Sequence, residues 1–391
     1  MKKIASLLLV LCMVFGLCAA SANAEAVAAD KIKIGFIYIG DENEGYTASH
    51  YNAAMEMKAA LGLTDDQIIM KTNTPENEAC YEAAVDLAEQ GCNIIFSNSY
   101  SHESYMIQAA GEYPNIQFCA ATGDKAASCG LTNVHNYFTG IFQARYLSGV
   151  VGGLKLNQLI ADGKLTAETA KIGYVAAKPF AEVISGYTSF YLGARSVCPT
   201  ATLQVIYTNS WSDSALEKEA AESLIADGCV LIGQHADTTG ASTACEPAGV
   251  PIVGYNISMI PTAATQALVS PTNNWTPYLM LAVQAVINGE AIPTDWCGAF
   301  ADDAVRLTEL NAAAVAPGTV EKVAEVEAAL KDGSLKVFDC STFTVGGANL
   351  TTYTTAYGLD GVELISDGYF HESEVRSAPA FDIIIDGVSI K

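Results

Sequence analysis

Residues 32–62 read IKIGFIYIGDENEGYTASHYNAAMEMKAALG and contain a complete strand-turn-helix unit. Residues 32–39 are almost continuously apolar, which predicts a strand that is buried on both faces. The polar turn after them leads into residues 47–61, where apolar residues recur at helical spacing, and Gly62 is a typical residue to end that helix. The stretch therefore predicts one β-α unit of a parallel sheet.

The same alternation of strand and helix runs through two halves of the chain. In the first half, further strands are predicted at residues 67–71, 92–96 and 115–121, with helices at 78–90 and 101–112. In the second half, strands are predicted at 171–176, 202–207, 229–233 and 250–254, with helices at 182–195, 214–226 and 239–247. Such alternation is typical of a parallel sheet covered by helices on both faces, and two runs of it predict two doubly wound α/β lobes.

The order of these elements predicts that the chain crosses between the lobes more than once. We expect lobe 1 to contain residues 31–137 and about 268–290, and lobe 2 to contain residues 138–267 with part of 291–391. The remainder of 291–391 forms a C-terminal extension, in which residues 320–330 predict a helix and the Thr-rich residues 342–355 predict paired strands. Two lobes connected in this way enclose a cleft.

The first 24 residues have the pattern of an export signal. Lys2 and Lys3 precede an apolar run at residues 4–17, and Ala22-Asn23-Ala24 fits a small-x-small cleavage site. We therefore predict an exported protein, at the extracytoplasmic face of a bacterial cell membrane or in the periplasm. Cys18 is the candidate for a lipid anchor, although Leu17 departs from the small residue that a lipidation motif has before its cysteine.

The composition excludes several classes of function. The chain has 391 residues and a net charge of -23, so attraction to the phosphates of a nucleic acid is excluded. The sequence contains no GxSxG, Walker, HExxH or GxGxxG motif, so we expect neither an enzyme nor a resident cofactor or metal. His235 and Asp237 are the only close histidine–carboxylate pair after a predicted strand, and an orienting role is favoured over a general base.

Cysteine is abundant, with eleven residues in the chain and nine after the predicted export signal. An odd number cannot all be paired in disulfides within one chain. Cys92, Cys119 and Cys229 lie inside apolar strand patterns. We therefore predict that these cysteines act as small, reduced core residues.

Polar and aromatic residues follow the predicted strands, at the edge where parallel sheets bind ligands. These strand ends share small residues, amides or carboxylates, and aromatic rings, and Lys178 is the only basic residue among them. Rings stack on flat molecules, and amide and carboxylate groups form directed hydrogen bonds to ring edges. The same residue types are common in turns, so an ordinary turn without a binding role is the simpler explanation at any single strand end. Across all the ends, the pattern favours a neutral, flat and polar small molecule.

A series of short motifs occurs in the same order as in a known family. They lie at residues 35–50, 136–149 and 172–209, and continue as Asn209-Ser210-Trp211-Ser212-Asp213, Gln234-His235-Ala236-Asp237 and Gly254-Tyr255-Asn256. The chain resembles the basic membrane protein family, also called PnrA-like, whose members are substrate-binding proteins of ABC importers. The resemblance implies a type I periplasmic-binding fold, with two Rossmann-like lobes that close over a purine nucleoside or purine base. It also implies a membrane permease as partner, and we expect a monomer.

The resemblance implies ligand-facing positions on both lobes. They are Asn43, Tyr46 and Tyr100 on lobe 1, and Phe180, Glu182, Trp211, Asp237 and Asn256 on lobe 2. His50 is added because it follows Tyr46 by four residues, which places both on one face of a helix. The family usually has Trp where this chain has Tyr46, and the first loop is one residue shorter here.

The family also often has a carboxylate soon after the position of Asn256. Here Ile257-Ser258-Met259 follows, which favours a base over a nucleoside. Three other functions fit the residues less closely. They are a sensor module that presents its ligand to a membrane receptor, a binder of another heterocycle such as a flavin, and a nucleoside hydrolase that uses Asp237 and His235. Such hydrolases normally have an Asp-rich metal site, which this sequence lacks.

Overall fold

The computed structural model describes residues 26–391. The export signal predicted for residues 1–24, with Cys18, lies outside the described residues. The described chain forms two parallel six-stranded sheets, each covered by helices. The prediction of a doubly wound α/β fold with two lobes is confirmed.

The bounds of the elements follow, in chain order. The strands are β1 (Ile34–Ile37), β2 (Ile68–Lys71), β3 (Ile94–Ser97), β4 (Gln117–Ala121), β5 (Val134–Thr139), β6 (Lys171–Ala176), β7 (Thr202–Tyr207), β8 (Leu231–Gln234), β9 (Ile252–Val253), β10 (Ala267–Val269), β11 (Pro271–Asn273), β12 (Asp295–Gly298), β13 (Val305–Leu307), β14 (Ile365–Ser366), β15 (Tyr369–Phe370) and β16 (Val388–Ile390). The α-helices are α1 (Gly45–Leu61), α2 (Glu78–Glu89), α3 (His102–Glu112), α4 (Ile141–Ala161), α5 (Ala181–Val197), α6 (Ser214–Ala226), α7 (Gly240–Ala248), α8 (Thr276–Asn288) and α9 (Thr319–Lys331).

Each lobe is built around one of the sheets. The sheet of lobe 1 has the order β12-β5-β4-β3-β1-β2, and the sheet of lobe 2 has the order β10-β9-β8-β6-β7-β16. All neighbouring strands in both sheets are parallel. In lobe 1, Ile34 pairs with Ile68 on one side and with Ile94 on the other. The carboxyl ends of the strands of each sheet therefore lie along one edge.

Capping residues define both ends of α1 and the start of α6. Helix α1 begins at Gly45 because the carboxylate of Glu44 accepts the backbone N–H of Tyr46 and of Thr47, each at 2.8 Å. It ends at Gly62, which has a φ of 65°, as the sequence predicts. Asp213 caps α6 by accepting the N–H of Ala215 and of Leu216.

The structure revises where the chain crosses between the lobes. We expected residues from about 268 to 290 in lobe 1, but β10 pairs with β9 in the sheet of lobe 2. Helix α8 then packs against α1 of lobe 1, and β12 forms the edge of the lobe 1 sheet beside β5. The returning segment thus starts later than expected and extends through Gly298. The sequence of a short strand with alternating side chains does not show which sheet the strand will join.

The C-terminal extension differs from the expectation in two places. The helix expected at 320–330 is observed as α9, but residues 342–355 contain only an isolated bridge between Val345 and Ala348 and no strand. Gly346 and Gly347 both have positive φ, and their N–H groups donate to the carboxylate of Asp386, so the chain turns tightly there. The end of the extension supplies β16, which pairs with β7 in lobe 2.

The cysteines occupy the core rather than the surface. All nine cysteines in residues 26–391 are free, and seven of them are buried. Burial raises the pKa of Cys119 and of Cys245 to about 12, so these thiols stay protonated and weakly reactive. Within the described residues, no helix is both long enough and apolar enough to cross a membrane.

Two helices of lobe 2 cross in close backbone contact. Gly149 of α4 lies against the carbonyl oxygen of Phe190, and Gly193 of α5 lies against the carbonyl oxygen of Tyr146. A Cβ atom at either glycine would collide with that carbonyl group. These two glycines therefore set the distance between α4 and α5.

We expect Gly149→Ala and Gly193→Ala each to lower the free energy of unfolding by about 1–3 kcal/mol or more, because the helices must separate to admit the methyl group. Chemical denaturation measures the change. Gly111→Ala in α3 is the control, because a Cβ there meets no atom within 4 Å. That variant should be neutral or more stable by about 0.5–1 kcal/mol. Equal effects at the three positions would contradict this account of the crossing.

Candidate ligand-binding site

A cavity of about 270 Å³, here called the inner chamber, lies between the two lobes at the carboxyl edges of both sheets. The strand ends of β1, β3 and β4 supply its lobe 1 side, and those of β7, β8 and β9 supply most of its lobe 2 side. Its lining residues are Ile39, Gly40, Asp41, Glu44, Tyr46, Asn73, Asn98, Ser99, Tyr100, Thr122, Glu182, Trp211, Ser212, His235, Asp237 and Tyr255. The position is the one that parallel sheets favour for ligands.

Tyr46 forms a rigid aromatic wall on the lobe 1 side. Its ring meets Trp275 edge-on at 6.0 Å between centroids and meets His50 edge-on at 4.8 Å. The Nε1–H of Trp275 donates to Ser49 at 2.9 Å, which fixes the indole behind Tyr46. The hydroxyl of Tyr46 is buried and has no hydrogen-bond partner among the described residues.

The aromatic wall on the lobe 2 side is Trp211. Its ring lies 5.9 Å from that of Phe180, and the ammonium group of Lys178 lies 5.1 Å from the Trp211 centroid. Rings at Tyr46, Tyr100 and Trp211 thus reach the same cavity from opposite lobes. Two lobes with facing rings can hold a flat molecule between them.

A direct hydrogen bond joins the lobes at the edge of the chamber. The backbone N–H of Gly45, in the first turn of α1, donates to the carbonyl oxygen of Asp237 at 3.3 Å. A Cβ atom at Gly45 would lie 3.2 Å from that oxygen. The absence of a side chain at Gly45 thus lets the lobes approach this closely, and the structure has the closed arrangement of the cleft.

Four carboxylates line the inner chamber: Asp41, Glu44, Glu182 and Asp237. Burial raises the pKa of Asp237 well above its ordinary value, and the neighbouring Glu44, Glu217 and Glu182 raise it further. Burial also raises the pKa of Glu44. Neither Lys nor Arg lines this chamber within residues 26–391. The chamber therefore attracts hydrogen-bond donors and positive charge and repels anions.

His235 and Arg145 form the buried polar layer beneath Glu182. The Nε2 of His235 lies 3.3 Å from Oε1 of Glu182. Burial and then the positive charge of Arg145 lower the pKa of His235 to about 4, so its imidazole is neutral at neutral pH. Arg145 donates to the Tyr174 hydroxyl at 2.7 Å, and its guanidinium lies 3.9 Å over the ring of Tyr255.

Glu217 holds the loop that carries Asp237. Its carboxylate accepts the N–H of Thr238 at 3.2 Å and the Thr238 hydroxyl at 2.7 Å. Burial raises the pKa of Glu217 to about 7. Its ionisation thus affects the stability of this loop near neutral pH.

The structure brings five of the nine expected residues to the inner chamber: Tyr46, Tyr100, Glu182, Trp211 and Asp237. Phe180 lines an adjoining cavity of about 450 Å³, here called the outer chamber. Its other lining residues are Tyr100, Thr122, Asp124, Pro179, Ala181, Glu182, Trp211, Tyr357, Arg376, Ala378, Pro379 and Asp382. Four residues line both chambers, so the two cavities adjoin each other.

The remaining three expected residues do not line the inner chamber. The side chain of Asn43 is turned away, because it donates to Asp41 at 3.0 Å on the exposed side of the loop. His50 is buried behind Tyr46, where it stacks on Trp275 at 4.1 Å. Asn256 lies behind Asp237, with its amide 3.4 Å from the Asp237 carboxylate and its carbonyl bonded to Asn273. His50 and Asn256 thus support the wall residues.

Sequence reasoning missed several lining residues. Asp41 and Glu44 were quoted in the first loop without a role, although their place after a strand was the available signal. Tyr255 was quoted only as part of a motif. Arg145 gave no signal from its own sequence neighbourhood, because its partners Tyr174, Gln234 and Tyr255 are distant in the chain.

The architecture and the site agree with comparisons to known proteins. Residues 31–326 match the family model described as ABC transporter substrate-binding protein PnrA-like. The chain belongs to this family. The resemblance inferred from the sequence motifs is confirmed, and the family's role is to bind a transported substrate rather than to transform it.

Individual relatives cover most of the chain. A purine-binding protein of Brucella abortus is 31% identical over 80% of this chain and 85% of its own length. A putative ABC transporter glucose-binding protein of Haloferax volcanii is 27% identical over 85% of this chain and 81% of its own length. Among solved structures, an ABC transporter solute-binding protein of Conexibacter woesei has a TM-score of 0.64 at 21% identity and covers 78% of this chain and 98% of its own. That likeness confirms the fold.

We expect Glu217→Gln to become more stable relative to the parent protein as the pH rises from about 4.5 to above 7. A carboxyl whose pKa is raised in the folded state costs stability once it ionises, and glutamine removes that ionisation. Urea denaturation at pH 5 and pH 8 measures the difference. Glu219→Gln, on the exposed face of α6, is the control and should show the same difference at both pH values. A pH-independent difference for Glu217→Gln would contradict the assignment.

Proposed function

We propose that this protein is the substrate-binding subunit of an ABC importer and that it binds a purine base or nucleoside in the inner chamber. The observation that carries the proposal is the combination of aromatic rings and partly buried carboxylates that both lobes contribute to one chamber. The matched purine-binding relative in Brucella abortus supports the same ligand class.

The hydrogen-bond pattern favours a purine over an anionic ligand. A purine presents ring N–H and amino donors at its edge, and Glu44, Glu182 and Asp237 offer acceptors in a partly buried site. The rings of Tyr46 and Trp211 supply faces for stacking. Carboxylates without a lining Lys or Arg among the described residues disfavour a phosphorylated ligand.

Transport follows from closure of the lobes. We propose that the ligand bridges Tyr46 and Trp211, and that the contact between Gly45 and Asp237 forms as the cleft closes. The closed form would then dock on a membrane permease. In the same proposal the protein is exported by the N-terminal signal, with Cys18 as the candidate lipid anchor.

A thermal-shift screen of residues 25–391, after unfolding and refolding to remove any bound ligand, tests the ligand class. The panel is adenine, guanine, hypoxanthine, their nucleosides, riboflavin, ribose and glucose. A ligand at about 100 times its Kd adds about 2.7 kcal/mol of stability, which raises Tm by several degrees. We expect a shift with a purine base or nucleoside.

Other outcomes of the screen favour other functions. A thermal shift with riboflavin or glucose alone would indicate that this compound, and not a purine, is the ligand. Conversion of inosine to free hypoxanthine would indicate an enzyme that uses Asp237 and His235. A purine shift without genetic linkage to a permease would favour a sensor module that presents its ligand to a membrane receptor.

We expect Trp211→Ala to weaken purine binding by about 1–3 kcal/mol, because the base loses one stacking face. Isothermal titration calorimetry with the purine selected in the screen measures the change. Tyr81→Ala is the control, because Tyr81 bonds to Glu112 and lines neither chamber. Unchanged affinity in a folded Trp211→Ala protein would contradict the proposed position of the base.

A further inference from the structure

We propose that the outer chamber is a second ligand subsite, which takes a flat and largely apolar substituent of the base held in the inner chamber. The natural ligand would then be a ring-substituted purine rather than a bare base. This inference rests on the proposed function, because it requires a purine in the inner chamber.

The two chambers adjoin each other. Tyr100, Thr122, Glu182 and Trp211 line both of them. The outer chamber, at about 450 Å³, is larger than the inner chamber, at about 270 Å³. In this proposal, a ligand whose base lies between Tyr46 and Trp211 extends past Trp211 into the outer chamber.

The C-terminal extension builds one wall of the outer chamber. The wall consists of Tyr357, Arg376, Ala378, Pro379 and Asp382. The match to the family model ends at residue 326, so this wall lies beyond the part of the chain that the family model covers. The outer chamber is thus an addition to the site between the lobes.

Contacts with both lobes hold this wall in place. The buried carboxylate of Glu372 accepts the Ser185 hydroxyl of lobe 2 at 2.6 Å, and the backbone N–H groups of Ala380 and Phe381 at 2.9 Å and 2.8 Å. On the lobe 1 side, the N–H of Ser377 donates to Asp295 at 2.9 Å. These hydrogen bonds fix the wall to both lobes.

The polar groups of the wall are already occupied within the protein. Arg376 donates to Asp124 at 3.4 Å and to the carbonyl oxygen of Tyr357 at 2.8 Å. Asp382 accepts the hydroxyl of Tyr353 at 2.5 Å and the N–H of Tyr357 at 3.2 Å. A sugar, which needs several free partners for its hydroxyl groups, would find few here. One buried donor stays open, the Nε–H of Arg376.

Two aromatic rings that line the outer chamber are exposed, whereas most polar groups of its wall are hydrogen-bonded within the protein. Phe180 is 45% exposed and Tyr357 is 72% exposed, which is unusual for large rings. Together with Trp211 they offer faces on both sides of the chamber. The chamber is lined by the carboxylates of Asp124, Glu182 and Asp382. They outnumber the guanidinium of Arg376 and the nearby ammonium group of Lys178, which lies 5.8 Å from the Phe180 centroid, so a phosphate group is disfavoured. A neutral ring is the group that these surfaces bind best.

Calorimetry with matched purines tests the subsite. The probes are adenine, N6-benzyladenine, 9-benzyladenine and adenosine, with hypoxanthine and 9-benzylhypoxanthine as a second series. The benzyl group is attached at N6 in one probe and at N9 in the others. Because these positions lie on opposite edges of the purine, one of them should direct the group into the outer chamber. We expect at least one benzyl purine to bind at least about fivefold more tightly than its parent base, as one ring stack provides.

Two variants assign that gain to the outer chamber. Phe180→Ala and Tyr357→Ala should each reduce affinity for the benzyl purine by at least about fivefold, and Tyr357→Ala should leave affinity for the parent base within about twofold. Both positions are exposed, so folding should be retained. Val375→Ala is the control, because Val375 is a 50% exposed apolar residue of the same extension that lines neither chamber. It should change neither affinity.

The outcomes separate this inference from the proposed function. If the parent bases bind but no benzyl purine binds more tightly, the second subsite is wrong and the proposed function stands. If Tyr357→Ala and Phe180→Ala weaken adenosine rather than the benzyl purines, the chamber is a sugar subsite and the inference is wrong. If no purine binds at all, the proposed function is wrong and the inference fails with it.

Discussion

The parallel direction of the strands in both sheets is the constraint on which the site depends. Each β-α unit returns the chain to the same end of its sheet, so the loops after β1, β3 and β4 collect at one edge of lobe 1. The loops after β7, β8 and β9 collect at the facing edge of lobe 2. Residues far apart in sequence thus meet in one chamber, and the N-terminus of α1 comes within hydrogen-bond distance of Asp237.

The electrostatics of the chamber follow from this geometry. Glu44 serves as the cap of α1 and also lies close enough to Asp237 to raise the pKa of that residue. Beneath them, Arg145 is buried without a carboxylate partner among its hydrogen bonds, and it helps to keep His235 neutral. The neutral imidazole of His235 adds no positive charge beneath the carboxylates that line the chamber.

The C-terminal extension adds a second chamber beside the cleft. Without residues 357–382, Phe180 and Trp211 would face solvent on that side of lobe 2. With them, a second chamber forms that is attached to both lobes through Glu372 and Ser377.

The sequence by itself determined the two doubly wound lobes, most helix ends and several of the aromatic and acidic residues of the cleft. These depend on local patterns, such as the apolar run at 32–39 and the glycine at position 62 that ends α1, which act within a few residues. Tyr46, Trp211 and Asp237 could be named because each directly follows a predicted strand or stands in a family motif.

Only the tertiary structure decided which side chains reach the chamber. It placed His50 behind Tyr46 and turned Asn43 outward. It also joined β12 to lobe 1 and β16 to lobe 2, and it folded residues 357–382 over the cleft. Apart from the orientation of Asn43, which bonds to Asp41 two residues away, these outcomes depend on contacts between segments more than a hundred residues apart. No local pattern encodes the partner of such a contact.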